Sequence, residues 1–100
     1  MSIPAEIVEI LTSRGETLSI AESLTGGALS SAIVDIPGAS HVLRGAVVAY
    51  ATEIKIRELE VPGALIDSDG VVSESVAFAM AEGVRSRMGT TWAISATGVA

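Results

Sequence analysis

Residues 17–36 read TLSIAESLTGGALSSAIVDI, and the change of period within this stretch decides the fold. From Thr17 to Ala21, Leu18 and Ile20 alternate with polar neighbours, the two-residue period of a short strand. After Gly26-Gly27 the apolar residues Leu29, Ala32, Ile33 and Ile36 follow the helical period until Pro37-Gly38 ends it. A strand that turns into a helix through two glycines is half of a βαβ unit. The corner also carries Glu22, Ser23 and Thr25, which a plain connection does not need.

Working outward, the same alternation continues. Ile3, Ile7, Ile10 and Leu11 share one face of a helix over Pro4 to Arg14, with Pro4 tolerated in the first turn and Gly15 as the stop. Ala46 to Tyr50 is an apolar run of strand length, and Thr52 is the expected N-cap of a helix from Glu53 to about Leu59. Val61 to Gly70 is punctuated by Pro62, Gly63 and Gly70, and reads as a connection with one turn of helix. Ser73 caps a further helix with the stripe Val76, Ala77, Met80, Ala81, Val84 and Met88, closed by Gly89. Trp92 to Ala96 is a last strand, expected inside the sheet, that runs into Thr97-Gly98. Met80, Met88 and Trp92 are expected in the core. Strands alternating with helices predict an α/β fold with helices on both faces of the sheet. The chain stops where a connection and another element are expected, so the reading is one C-terminally incomplete domain over residues 1–100.

Composition narrows the function. At 100 residues a single core buries roughly 60–70% of the unfolded chain's surface. Apolar residues make up 49% but aromatic ones only 3%, so that core is built from Ala, Val, Ile and Leu. A formal charge of −6 argues against nucleic acid, whose binders need a basic patch. With no cysteine and one histidine, a disulfide frame and a His/Cys metal site are excluded. No run approaches the ~18 apolar residues of a membrane span, and the N-terminus lacks a signal-peptide pattern. A cytoplasmic protein without membrane or nucleic-acid partners is expected.

Three strand ends gather chemistry: Glu22 to Gly27, Tyr50 to Thr52, and Thr97-Gly98. In sheets of this type ligands collect at the carboxyl ends of strands. Glycines and free N–H groups at a helix start suit an anion, although TGG matches neither a P-loop nor GxGxxG. Lys55 is the only lysine in the chain and follows Tyr50 closely enough to share the edge with Ser23. It can act as a base only if its pKa falls from ~10.4 toward 7–8, a differential cost of ~4 kcal/mol. His41 lies in a turn-like PGASH segment, a poor place for the base of a Ser-His-Asp triad. Asp67-Ser68-Asp69-Gly70 starts like a calcium loop, but the rest of the template is missing.

Together AESLTGG at 21–27, PGAS at 37–40, RGAVVAYATEIK at 44–55, VSE at 72–74, MAEG at 80–83 and SATGVA at 95–100 resemble the C-terminal domain of the competence-damage protein CinA, a domain similar to the nicotinamide-nucleotide amidases. The resemblance implies an α/β/α sandwich on a mixed β-sheet, assembled as a homo-oligomer. It implies hydrolysis of the carboxamide of nicotinamide mononucleotide to nicotinate mononucleotide and ammonia, in NAD salvage, with no cofactor or metal. The family's nucleophile falls on Ser23, its lysine on Lys55 and its active-site tyrosine on Tyr50. Its substrate-binding loops fall on Thr25, Gly26 and Gly27 and on Thr97 and Gly98.

In that mechanism neutral Lys55 takes the Ser23 proton. Either glycine loop is a candidate for the oxyanion or the phosphate, Tyr50 either orients Lys55 or touches substrate, and Glu22 is open to pairing with Lys55. Two departures stand out. Thr52 replaces the asparagine of the family's Tyr-Ser-Asn-Glu-x-Lys stretch, and the family's further strand and closing helix do not follow. The rival reading is a nucleotide-binding or regulatory module of the same fold without the chemistry.

Overall fold

In the computed structural model, which describes residues 1–99, helices and strands alternate along the chain. The order is α1 (Ile3–Arg14), β1 (Leu18–Glu22), α2 (Ala28–Val34), a 3₁₀ turn (Ala39–His41), β2 (Leu43–Val48), α3 (Thr52–Leu59), α4 (Gly63–Asp69), α5 (Glu74–Met88) and β3 (Trp92–Ser95). The sheet has the order β2-β1-β3, and β1 pairs parallel with both neighbours. Each crossover contains helix, as parallel pairing requires. The α/β class is as expected. Every pairing among the described residues is parallel, so the mixed character that the resemblance implied has no antiparallel member here.

Two apolar clusters make the three layers. On one face Leu18 and Ile20 of β1 meet Val8 and Leu11 of α1, Ile33 of α2, and Val42. On the other, Ala21 faces Leu59, Val61, and the Val76, Met80 and Val84 stripe of α5. The alternation of Leu18, Ile20 and Ala21 thus sends successive side chains to opposite layers, as strand geometry dictates. No helix among the described residues is long and apolar enough to cross a membrane.

Local signals set most boundaries. Ser73 caps α5, its hydroxyl accepting from the Val76 amide at 3.2 Å, and Ser2 caps α1 in the same way. Four details differ from the sequence reading. Helix α3 begins at Thr52, with Ala51 in the cap position and no side-chain cap, so Thr52 is not the N-cap. The segment expected to hold one turn of helix forms α4, because Pro62 supplies a φ of −60° at its cap and Leu65 and Ile66 pack on the α5 side. Strand β2 starts at Leu43 and stops at Val48, since its register pairs Leu43 with Leu18 and Val48 with Glu22. Trp92 is 49% exposed rather than buried. It opens β3, the outer strand beside β1 among the described residues, and its indole N–H donates to Glu16 at 3.0 Å.

Among the glycines, Gly83 has the closest neighbour, where α5 passes the end of α3. A Cβ added to Gly83 would lie 1.9 Å from the Leu59 carbonyl oxygen, a backbone atom that no rotamer change can move away. Gly83→Ala must therefore push α5 away from Leu59 at the end of α3 and open the layer that the two helices share. The expected loss is about 3 kcal/mol, measured as a lower urea midpoint at unchanged m-value.

Candidate active site

The carboxyl ends of the parallel strands lie side by side, and each sends a segment into one cleft. Ser23 and Leu24 follow β1, Tyr50 and Thr52 follow β2, and Thr97 and Gly98 follow β3. With Lys55, Val71, Val72 and Val99 they line a cleft of about 300 Å³. A larger groove, about 940 Å³, lies along α4 and α5 and contains none of the expected site residues.

Lys55 is placed by helix geometry. It shares the buried face of α3 with Leu59, four residues on, so the packing that buries the leucine also drives the lysine inward. Only 2% of Lys55 and 5% of Ser23 is exposed. The Lys55 amine donates to Ser23 Oγ at 2.9 Å, to the Ala49 carbonyl at 2.8 Å and to the Tyr50 carbonyl at 3.1 Å. Burial pushes its pKa below the ordinary 10.5, because the charged form loses water. In the neutral amine two N–H bonds satisfy the two carbonyls, which leaves the lone pair directed at the Ser23 hydroxyl. That is the geometry of a base and its proton donor.

Tyr50 takes part through its carbonyl, while the residue as a whole is 68% exposed at the rim of the cleft. Thr97 and Gly98 line the cleft; the Thr97 hydroxyl donates to the Val71 carbonyl at 3.4 Å. A Cβ at Gly98 would come within 3.0 Å of the Leu24 side chain, so the glycine lets the β3 loop close against the turn that follows β1.

Glu22 answers why the strand-to-helix corner carries a carboxylate. It is fully buried and accepts from the backbone amides of Gly27 at 3.1 Å, Leu29 at 3.1 Å and Ser30 at 2.8 Å. The Ser30 hydroxyl adds a further, short hydrogen bond. The anion at the start of α2 is thus the protein's own side chain. This closes one reading that the sequence left open and corrects one expectation. Among the described residues Glu22 makes no ion pair with Lys55. Gly26 and Gly27 do not line the cleft: the Gly26 amide donates to the Ser23 carbonyl and the Gly27 amide to Glu22, so neither is free to hold substrate. Thr25 also lies outside the cleft lining. Its buried hydroxyl makes no hydrogen bond of ordinary geometry, though it is close enough to Glu22 to favour the ionised carboxylate.

Burial alone would raise the Glu22 pKa, but hydrogen bonds from the Ser30 hydroxyl and from the Ser30 and Leu29 amides, with the nearby Thr25 hydroxyl, outweigh it and hold the group at about 2. Because the folded value lies below the ordinary 4.5, the stabilisation is complete above pH ~4.5 and is lost as the pH falls toward 2. The shift corresponds to about 3 kcal/mol. Between pH 5 and 2.5 the wild type should lose markedly more stability than Glu22→Gln, which has no carboxylate to protonate; parallel curves in acid titrations of the melting temperature would contradict this.

His41 precedes β2 and so sits at the opposite end of the sheet from Ser23, away from any triad. Asp69 ends α4 and accepts from the Ser68 and Ser75 hydroxyls at 2.9 and 2.6 Å, a helix-to-helix junction rather than a calcium loop. Among the described residues no group of three His, Cys, Asp or Glu side chains could hold a metal ion. The sequence reading missed Leu24, Val71 and Val72 as cleft walls. Val71 and Val72 reach the cleft through the packing of the α4–α5 connection against the segment after β3, for which the sequence has no local signal, while Leu24 is the neighbour of Ser23 in the turn after β1.

A hydrogen-bonded serine–lysine pair at the carboxyl ends of a parallel sheet defines an α/β protein with a candidate active site. Residues 1–100 match the family described as the CinA C-terminal domain, and the chain belongs to that family. It is 48% identical over 99 residues to a CinA-like protein of Dictyoglomus thermophilum, covering 99% of this chain and 24% of that protein. To a CinA-like protein of Gemmatimonas aurantiaca it is 54% identical over 87 residues, covering 87% of this chain and 20% of the relative. Among solved structures, it resembles the competence/damage inducible protein CihA from Agrobacterium tumefaciens with a TM-score of 0.92 and 32% identity, over 96% of this chain and 58% of that one. The competence-damaged protein (CinA) superfamily protein from Escherichia coli gives 0.93 and 28%, over 95% and 55%. The chain therefore spans about a quarter of the length of the relatives it matches in sequence.

Proposed function

We propose that residues 1–100 form an amidohydrolase domain that deamidates nicotinamide mononucleotide to nicotinate mononucleotide and ammonia through Ser23 and Lys55. The observation that carries this reading is the Lys55 amine, 2.9 Å from Ser23 Oγ and tied to the Ala49 and Tyr50 carbonyls in a nearly dry site. Neutral Lys55 accepts the hydroxyl proton as Ser23 Oγ bonds to the carboxamide carbon. The C=O electrons move onto oxygen, then return as the C–N bond breaks. Lys55 gives its proton to the departing nitrogen, and ammonia leaves. Water repeats the attack on the acyl-enzyme, with Lys55 again the base, and the carboxylate product departs as Ser23 is reprotonated.

The developing oxyanion needs donors beside Ser23. The Leu24 and Thr25 amides, which follow the nucleophile and make no hydrogen bond among the described residues, are suited to that role. Thr97 and Gly98 then bound the substrate from the other side of the cleft, with Tyr50 at its rim.

The test is to incubate the intact protein with nicotinamide mononucleotide and follow ammonia and nicotinate mononucleotide together. Equal release of both is expected. Saturable binding without hydrolysis would replace this reading with that of a nucleotide-binding or regulatory module, and neither binding nor turnover would remove the substrate class.

A further inference from the structure

We propose that Glu22 is a positioning residue for Ser23: its carboxylate closes the base of the Ser23–Gly27 turn and so keeps the serine hydroxyl on the Lys55 amine. The proposal rests on the reading of Ser23 as nucleophile, and its argument is geometric. The chain leaves the sheet at Ser23 and enters α2 at Ala28, with Gly26 and Gly27 both at positive φ between them. Such a turn is intrinsically loose, since glycine has the widest backbone freedom. Helix α2 is only seven residues long and has no side-chain cap from Gly27, its N-cap residue. Left to itself, it would fray at the end that joins the nucleophile.

Glu22 removes that freedom. Its backbone is held in the central strand, paired with Val48, and its carbonyl accepts from the Ala49 amide at 2.8 Å. Its carboxylate meanwhile holds Gly27, Leu29 and Ser30. The turn that begins with Ser23 is therefore pinned at both ends to one residue. The bond from Glu22 to Ala49 has a second consequence, because Ala49 also holds Lys55. One buried glutamate thus links the segment that carries the nucleophile to the segment that carries its base.

A serine displaced by 1 Å from its base loses up to ~100-fold in rate while the binding contacts survive. In the intact protein, Glu22→Ala is expected to lower kcat for nicotinamide mononucleotide by about 100-fold, with KM within about 2-fold. The rate at which a sulfonyl fluoride labels Ser23 should fall by a similar factor. Glu22→Gln, whose amide oxygen can still accept from Gly27 and Leu29, should lose only about 10-fold. Activity is expressed per folded molecule, from circular dichroism and intact mass. A purely structural glutamate would shrink the folded fraction and leave that figure unchanged, which would overturn the proposal. If Glu22→Ala does not fold, Glu22→Gln and Ser30→Ala carry the test, and labelling rates within 2-fold of wild type in both would also overturn it. A wild type that neither hydrolyses amide nor takes label at Ser23 would overturn the nucleophile assignment beneath it.

Discussion

Ser23→Ala is expected to lower ammonia release from nicotinamide mononucleotide by about 10⁴-fold or more, since removing a nucleophile removes the covalent route and leaves only binding and oxyanion stabilisation. The fold should survive. Ser23 is small, and its loss removes one hydrogen bond to an amine that keeps its two backbone carbonyls. Substrate affinity should change little, because the hydroxyl is one contact in a cleft also walled by Leu24, Val71, Val72 and Thr97. Turnover within a few-fold of wild type, in a sample free of contaminating amidase, would remove Ser23 from the chemistry and leave the Ser23–Lys55 contact as an internal hydrogen bond.

How legible this site is from sequence depends on the range over which each residue is placed. The strand-to-helix corner at residues 17–36 is local, and its period change predicts both β1 and α2. Lys55 is legible at intermediate range only as a neighbour of the strand edge, because it closely follows Tyr50; its burial on the face shared with Leu59 emerges from the packing of α3. The pairing of Lys55 with Ser23, 32 residues apart, came from resemblance. No spacing in one sequence encodes the β1–β2 register that brings those strand ends together. The early end of β2 was hidden for the same reason. Ala49 and Tyr50 continue an apolar run, yet they leave the strand, and their carbonyls turn to the lysine. Trp92 shows the opposite limit: an aromatic residue in an apolar strand reads as core, but its exposure is set by which strand lies beside β3. Glu22 was visible as an oddity and not as a cap, because its partners exist only once the first turn of α2 has folded back over it.

Lys55→Arg is the change that separates a base from a charge anchor. A guanidinium stays protonated at any working pH, so it can preserve a positive charge beside Ser23 but cannot take the proton. If Lys55 is the base, hydrolysis should fall by about 10³-fold, within the range that a positioned general base supplies. Since arginine is larger and the site nearly closed, Lys55→Met provides the second measurement. It fills a similar volume without an amine and should fall by a similar factor. The wild-type pH profile gives an independent sign. The base is active in its neutral form, so kcat/KM should rise with pH through the Lys55 pKa, which burial holds below 10.5. A charge anchor would give the reverse, with activity lost as the pH rises through that value. The same burial links to stability: between the folded and unfolded pKa values the folded protein binds fewer protons at Lys55, so stability should increase with pH across that window. Folded Lys55→Arg that turns over at the wild-type rate, with a profile falling toward alkaline pH, would place the base elsewhere and leave Lys55 as a fixed charge beneath the cleft.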